Sequence, residues 1–171
     1  MKLVVDSHTH TLASTHAYST ITELAGAAKK NGLELLAVTD HASMLEDAPP
    51  PLHFMNYHVL PGELYGVKMM YGTELNILDF QGKVDFDTDI LERQDLCIAS
   101  FHTKCTSAGT KEENTAAFLN AMDNPFVHII GHPEDGNIPI DFGRLVRKAK
   151  ERKILIEVNN SSLRADYYRK N

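Results

Sequence analysis

A chain of 171 residues with 43% apolar content is long enough for one well-buried core and too short for two typical domains. Its net charge of −6 counts against a dedicated nucleic-acid binder, so an anionic substrate would have to be attracted by metal ions or a few local bases. The two cysteines, Cys97 and Cys105, make no disulfide framework, and the apolar opening MKLVV is too short for a signal peptide or membrane span, so a cytoplasmic setting is expected.

In chain order, the first apolar run predicts a strand over 3–6. Thr20 and Glu23 then form a capping box, Ile21, Leu24, Ala25 and Ala28 recur at helical spacing, and Gly32 supplies a left-handed stop. Further strands are expected over 35–39 and 68–72. Between them, residues 46–65 carry three consecutive prolines and read as a long loop or lid, with His53 and His58 exposed to solvent. Gly82, between two short alternating runs, predicts a small hairpin. A strand over 96–100 follows, then a helix opened by a Thr110–Glu113 capping box and closed by Asn124-Pro125. The run over 128–131 is a fifth strand, with His128 read as a core residue or as one that orients a ligand from behind. The last helix carries Phe142, Leu145, Val146 and Ala149 on one face, with Arg147, Lys148, Lys150, Arg152 and Lys153 on its solvated side and last turn. A strand over 154–158 completes the set. Each strand is apolar on nearly every residue, which means burial on both faces, as in a parallel sheet wrapped by helices.

Seven residues that bind transition metals well stand at or just beyond the downstream ends of these runs: His8, His10, His16, His41, Glu74, His102 and His132. Ligands from the ends of several strands point to the carboxyl mouth of an α/β barrel rather than to a switch point in an open sheet. His8 and His10 share a face by the period of two, and Asp6 on that face is placed to orient a ligand histidine. Asp40 beside His41 is a second candidate for such support. Ser14, Ser19 and Ser43 lie near histidines, but no Gly-x-Ser-x-Gly elbow is present, so a serine hydrolase is not indicated. Neither Cys97, in a strand, nor Cys105, in a loop, has zinc-knuckle spacing.

The successive motifs DSHTH, HAYS, TDH, GTE, SFH and GHP resemble those of the PHP family, named for polymerase-associated domains and histidinol phosphatases. The match is closest to small stand-alone bacterial phosphatases of the YcdX type with three zinc ions, which share the EVNNS strand end. The resemblance implies a distorted (β/α)7 barrel, with about six strands in this chain and the C-terminal unit missing. It implies one truncated phosphoesterase domain over 1–171. His8, His10 and Glu74 would hold one metal, Glu74 would bridge to a second held by His102 and His132, and His16 and His41 would hold a third. The family completes this set with an Asp-x-His motif, whereas Asp166 here is followed by Tyr167 and Tyr168.

The implied activity is hydrolysis of small phosphate monoesters by a metal-bridged hydroxide, with no side-chain nucleophile. The metal is zinc, with manganese or iron as alternatives. Lys104 and Arg164 are candidate phosphate contacts. The competing readings are an amidohydrolase or deaminase, although the run CIASFH lacks the lysine those enzymes use, and a polymerase-associated domain with a nuclease or interaction role.

Overall fold

A computed structural model describes residues 3–46, 48–159 and 162. Arg164, Asp166, Tyr167 and Tyr168, with Asn160 and Ser161 of the last motif, lie outside the described residues.

The chain divides into two units. The first is built on residues up to Glu74 together with Phe86–Cys97, and the second on Leu75–Asp85 with the described residues from Ile98 onward.

In the first unit, β1 (Val5–Thr9), β2 (Leu35–His41) and β4 (Val67–Asn76) lie side by side and parallel, and the short β3 (Glu63–Leu64) pairs antiparallel with β4. Leu36, Ala37 and Val38 are fully buried, as the unbroken apolar runs require. Helix α1 (Ile21–Lys30) begins at the expected Thr20–Glu23 capping box, and Gly32 takes φ 74° just after it. Its Ala25 and Ala28 are buried. At Gly72 a Cβ would come within 1.8 Å of the Leu96 carbonyl oxygen, so only glycine lets these backbones approach.

Residues 48–65 depart from the expected loop. Helix α2 (Pro51–Met55) starts on a proline whose missing N–H costs nothing there, and a 3-10 turn follows at Tyr57–Val59. Phe54 is fully buried, with its ring 5.1 Å from that of Phe86 and 5.7 Å from that of Tyr57. Tyr57 lies 5.6 Å from Tyr71. Burial of these two rings, not loop chemistry, fixes the segment, and the prolines set its entry. His53 is drawn in with them, whereas His58 is exposed as expected. The short α3 (Thr88–Leu91) adds buried Leu91.

In the second unit, the strand end from Ile98 of β5 (Leu96–Ser100), β6 (Ile129–Ile130) and β7 (Leu155–Ile156) are parallel. The expected hairpin is reduced to one antiparallel bridge, Ile77 to Val84, around Gly82 at φ 81°. Helix α4 (Lys111–Ala121) has the predicted Thr110–Glu113 capping box and buries Ala117, Phe118 and Ala121. Helix α5 (Phe142–Arg152) buries only Leu145 and Ala149; Phe142 and Val146, expected on the same inward face, are about half exposed. Lys148 and Arg152 pair with Asp123, as surface charges that contribute little to stability. His128 also departs from expectation. It is exposed just before β6, because the alternation that buries Val127 and Ile129 turns it outward.

Truncating Phe54 to alanine should lower the free energy of unfolding by about 3–5 kcal/mol, the cost of a large cavity in an aromatic cluster. Urea unfolding will measure it; a loss below about 1 kcal/mol would return the segment to the status of a loosely attached loop.

Candidate metal centre

Strand register delivers the ligands of the first unit. The β2–β4 ladder runs without interruption from Leu35↔Lys68 to His41↔Glu74, so these two residues end their strands side by side. In β1 the pairing slips between Asp6 and Thr9, a bulge that inserts one extra residue around His8 and re-aims the strand end.

The Glu74 side chain is only 1% exposed. Its Oε2 lies 3.3 Å from His8 Nε2, 3.3 Å from His10 Nε2 and 2.9 Å from His41 Nδ1. Two overlapping groups result within this unit: His8, His10 and Glu74, and His10, His16 and His41. The ligand atoms in each group lie within 4.8 Å of one another. A carboxylate taken out of water needs a counter-charge or full hydrogen bonding. Imidazoles crowded edge to edge, with two Nε2 atoms 3.2 Å apart, share a proton or a cation far better than they tolerate separate positive charges. The donor set therefore fits a divalent metal, and nitrogen with carboxylate oxygen suits zinc, manganese or iron.

Behind this cluster is a second polar layer. Asp40 is fully buried and accepts from the Thr11 backbone N–H, the Thr11 hydroxyl and the Ser14 hydroxyl, each at 2.8 Å. Ser14 in turn accepts the backbone N–H of His41 at 3.0 Å and lies 3.4 Å from His10 Nδ1. His53 Nε2 stands 3.7 Å from Asp40 and 3.1 Å from the Tyr57 hydroxyl. Burial alone would raise the Asp40 pKa, but the hydrogen bonds from His53, Thr11 and Ser14 outweigh it and hold the carboxyl at about 2. Burial, and the Asp40 charge after it, push the Tyr57 phenol well above its usual range, so it stays protonated. Asp6 does not do what its spacing suggested. It is exposed and accepts the backbone N–H of His8 at 3.3 Å, and among the described residues it touches no ligand ring.

In the second unit, the His102 and His132 rings lie 5.3 Å apart. His102 Nδ1 is 2.6 Å from the side-chain oxygen of buried Asn76. His132 has φ 29°, a left-handed backbone conformation that costs a non-glycine residue about 1–3 kcal/mol and is typical of functional positions. Its N–H donates to Glu157 at 2.8 Å. Gly131 before it is needed because a Cβ there would meet Ser100 Oγ at 2.1 Å. Lys104 is exposed in the loop after β5.

Asn76, Asp85 and Thr11 were not singled out in the sequence, and Ser14 and Glu157 were read there without these roles. Asn76 had one available signal: it follows Glu74 by two residues and so shares its face of the strand.

A family model described as PHP domain matches residues 6–162. The chain is 51% identical over 164 residues to a probable phosphatase of Clostridium novyi (strain NT), an alignment covering 96% of this chain and 67% of that protein. It is 47% identical over 162 residues to a probable phosphatase of Acetivibrio thermocellus, with 95% and 67% covered. A probable phosphatase of Caldanaerobacter subterraneus is 44% identical, with 95% and 64% covered. The chain thus belongs to the PHP family and spans about two thirds of the length of these relatives. Within each unit the parallel strands and flanking helices are of the α/β class expected for that family.

The sign of one pH effect follows. The folded pKa of Asp40, about 2, lies below its ordinary 3.8, so its stabilising contribution is present above the ordinary value and is lost as pH falls towards the folded one. Asp40→Asn should therefore unfold at lower urea than the parent at neutral pH, with the gap narrowing between about pH 4 and pH 2. A gap constant across that range would show that the Asp40 charge has no role in stability.

Proposed function

We propose that this chain is the metal-dependent core of a phosphomonoesterase acting on small phosphorylated substrates. Its PHP membership and its relatives, named probable phosphatases, support a hydrolase of the phosphatase class. The observation that carries the metal reading is Glu74, a buried carboxylate whose Oε2 faces three imidazoles. His8, His10 and Glu74 would hold one ion, and His16 and His41 another. Within the second unit, His102 and His132 are the proposed metal ligands. The resemblance carries the count to three, with zinc ahead of manganese and iron.

When bound, such ions acidify water and neutralise the oxygens of a phosphate ester. The residues around them do the rest. Glu74 gathers the imidazoles around its carboxylate. Asp40 and Ser14 hold His10 and the His41 backbone in place, so little ordering remains when a ligand arrives. Ser14 is no nucleophile, since its hydroxyl is already engaged by Asp40, His41 and His10. Nor is Cys97, whose thiol burial pushes up to about 12. Lys104, exposed two residues beyond His102, would be a phosphate contact. Two cysteines are too few for a disulfide framework, which is the ground for proposing a reducing, cytoplasmic setting. Among the described residues no helix is long and apolar enough to cross a membrane.

Hydrolysis of phosphate monoesters should appear with added zinc or manganese, disappear with a chelator and return when metal is restored. Turnover that persists in a preparation shown by elemental analysis to be metal-free would overturn the mechanism. Because the Glu74 carboxylate touches ligands of two groups, Glu74→Ala should lose more bound metal than His16→Ala, about two equivalents against one. Equal losses in the two folded variants would remove its bridging role.

A further inference from the structure

The second unit contains a chain of hydrogen bonds that settles which nitrogen of His102 carries the proton. We infer that Asp85 and Asn76 are a positioning pair that fixes His102 with its proton on Nδ1, leaving Nε2 as the lone-pair nitrogen for a metal.

The derivation starts at Asp85. Its Oδ1 accepts the Asn76 backbone N–H at 2.6 Å, and its Oδ2 accepts from the Asn76 side-chain amide at 2.5 Å. A carboxylate offers lone pairs and no proton, so the NH2 end of Asn76 must face it. The carbonyl end of that amide is then turned to His102 Nδ1, 2.6 Å away. An amide oxygen is also an acceptor only, so Nδ1 must be the donor. In neutral imidazole the other nitrogen is then bare, and a bare nitrogen is what a metal needs. Asn76 is fully buried, so water competes poorly for either bond. A free imidazole would not hold this tautomer unaided. The sequence puts the pieces 9 and 26 residues apart, at the end of β4, beyond the hairpin bridge and just past β5.

This positioning role rests on the reading of His102 as a ligand, but the proton assignment can be read without metal. In the metal-free chain, long-range proton–nitrogen correlation at about pH 8, where histidine is neutral, should show His102 protonated on Nδ1. Asp85→Asn should move the proton. The Asn76 backbone N–H pins the new amide's oxygen, its NH2 then opposes the Asn76 NH2, and Asn76 flips to present a donor to Nδ1. His102 should then shift to the Nε2-protonated form. Asn76→Ala should abolish the Nδ1 preference as well. A competition titration with zinc should show roughly 10–100-fold weaker binding of the affected equivalent in Asp85→Asn. An Nε2-protonated His102 in the parent chain, a tautomer unchanged in Asp85→Asn, or unchanged zinc affinity beside a switched tautomer would each overturn the proposal. A switch as predicted, in a chain that takes up no zinc in any form, would uphold the Asp85–Asn76 assignment and defeat the metal reading instead.

Discussion

The first unit of this protein turns on one buried charge. Glu74 has almost no contact with water, and a carboxylate so placed is tolerated only where positive charge or hydrogen bonds surround it. What surrounds it is imidazole, from β1, its following loop and β2. The strands are held in register from Leu35↔Lys68 to His41↔Glu74 by a ladder that buries Leu36, Ala37, Val38, Met69 and Tyr71 and ends on buried polar residues. The same hydrophobic burial that stabilises the sheet thus sets where the charge sits, and slipping the register by one residue would turn Glu74 to the other face.

Around that charge the polar residues are layered. In the first unit the rings close to Glu74 are themselves oriented by the Asp40–Ser14–Thr11 network one step further out; in the second, Asp85 and Asn76 do the same for His102. These outer groups are fully or partly buried and joined to backbone N–H groups, so they are fixed by the fold before any ligand arrives. Pre-set orientation of this kind is what metal hydrolases depend on, since ordering the ligands at the moment of binding would weaken affinity. The α2 segment takes part through His53 and Tyr57, which tie its aromatic packing to Asp40.

Much of this was legible in the sequence, for physical reasons. Capping boxes at Thr20 and Thr110 are local chemistry and appear where they were read. Unbroken apolar runs marked the strands, and β2 and β5 are buried as expected, whereas β1 and β7, written alike, leave Val5 and Leu155 exposed. Ligand types repeated at the ends of those runs pointed to His8, His10, His41 and Glu74, which the fold brings together. Contacts made through space were not legible. The burial of Phe54 and Tyr57 depends on Phe86 and Tyr71, which lie far along the chain, so residues 46–65 read as a loop. His128 was placed inward because the run around it is apolar, yet a two-residue strand gives it an outward position. Asp6 shares a strand with His8, but the bulge beside it leaves it holding the backbone rather than a ring. The turn at Gly82 was legible, but the contact it makes between Asp85 and Asn76 was not, since that pairing is made through space.

The claim at the centre of this account is that Glu74 is a metal ligand and not merely the acceptor of an imidazole network. Crystals of the chain grown with zinc, measured across the zinc absorption edge, test it most directly. The account predicts an anomalous peak at about 2.0–2.2 Å from a Glu74 carboxylate oxygen and from imidazole nitrogens of His8 and His10. Zinc-saturated crystals with these side chains ordered and no anomalous density beside Glu74 would contradict it.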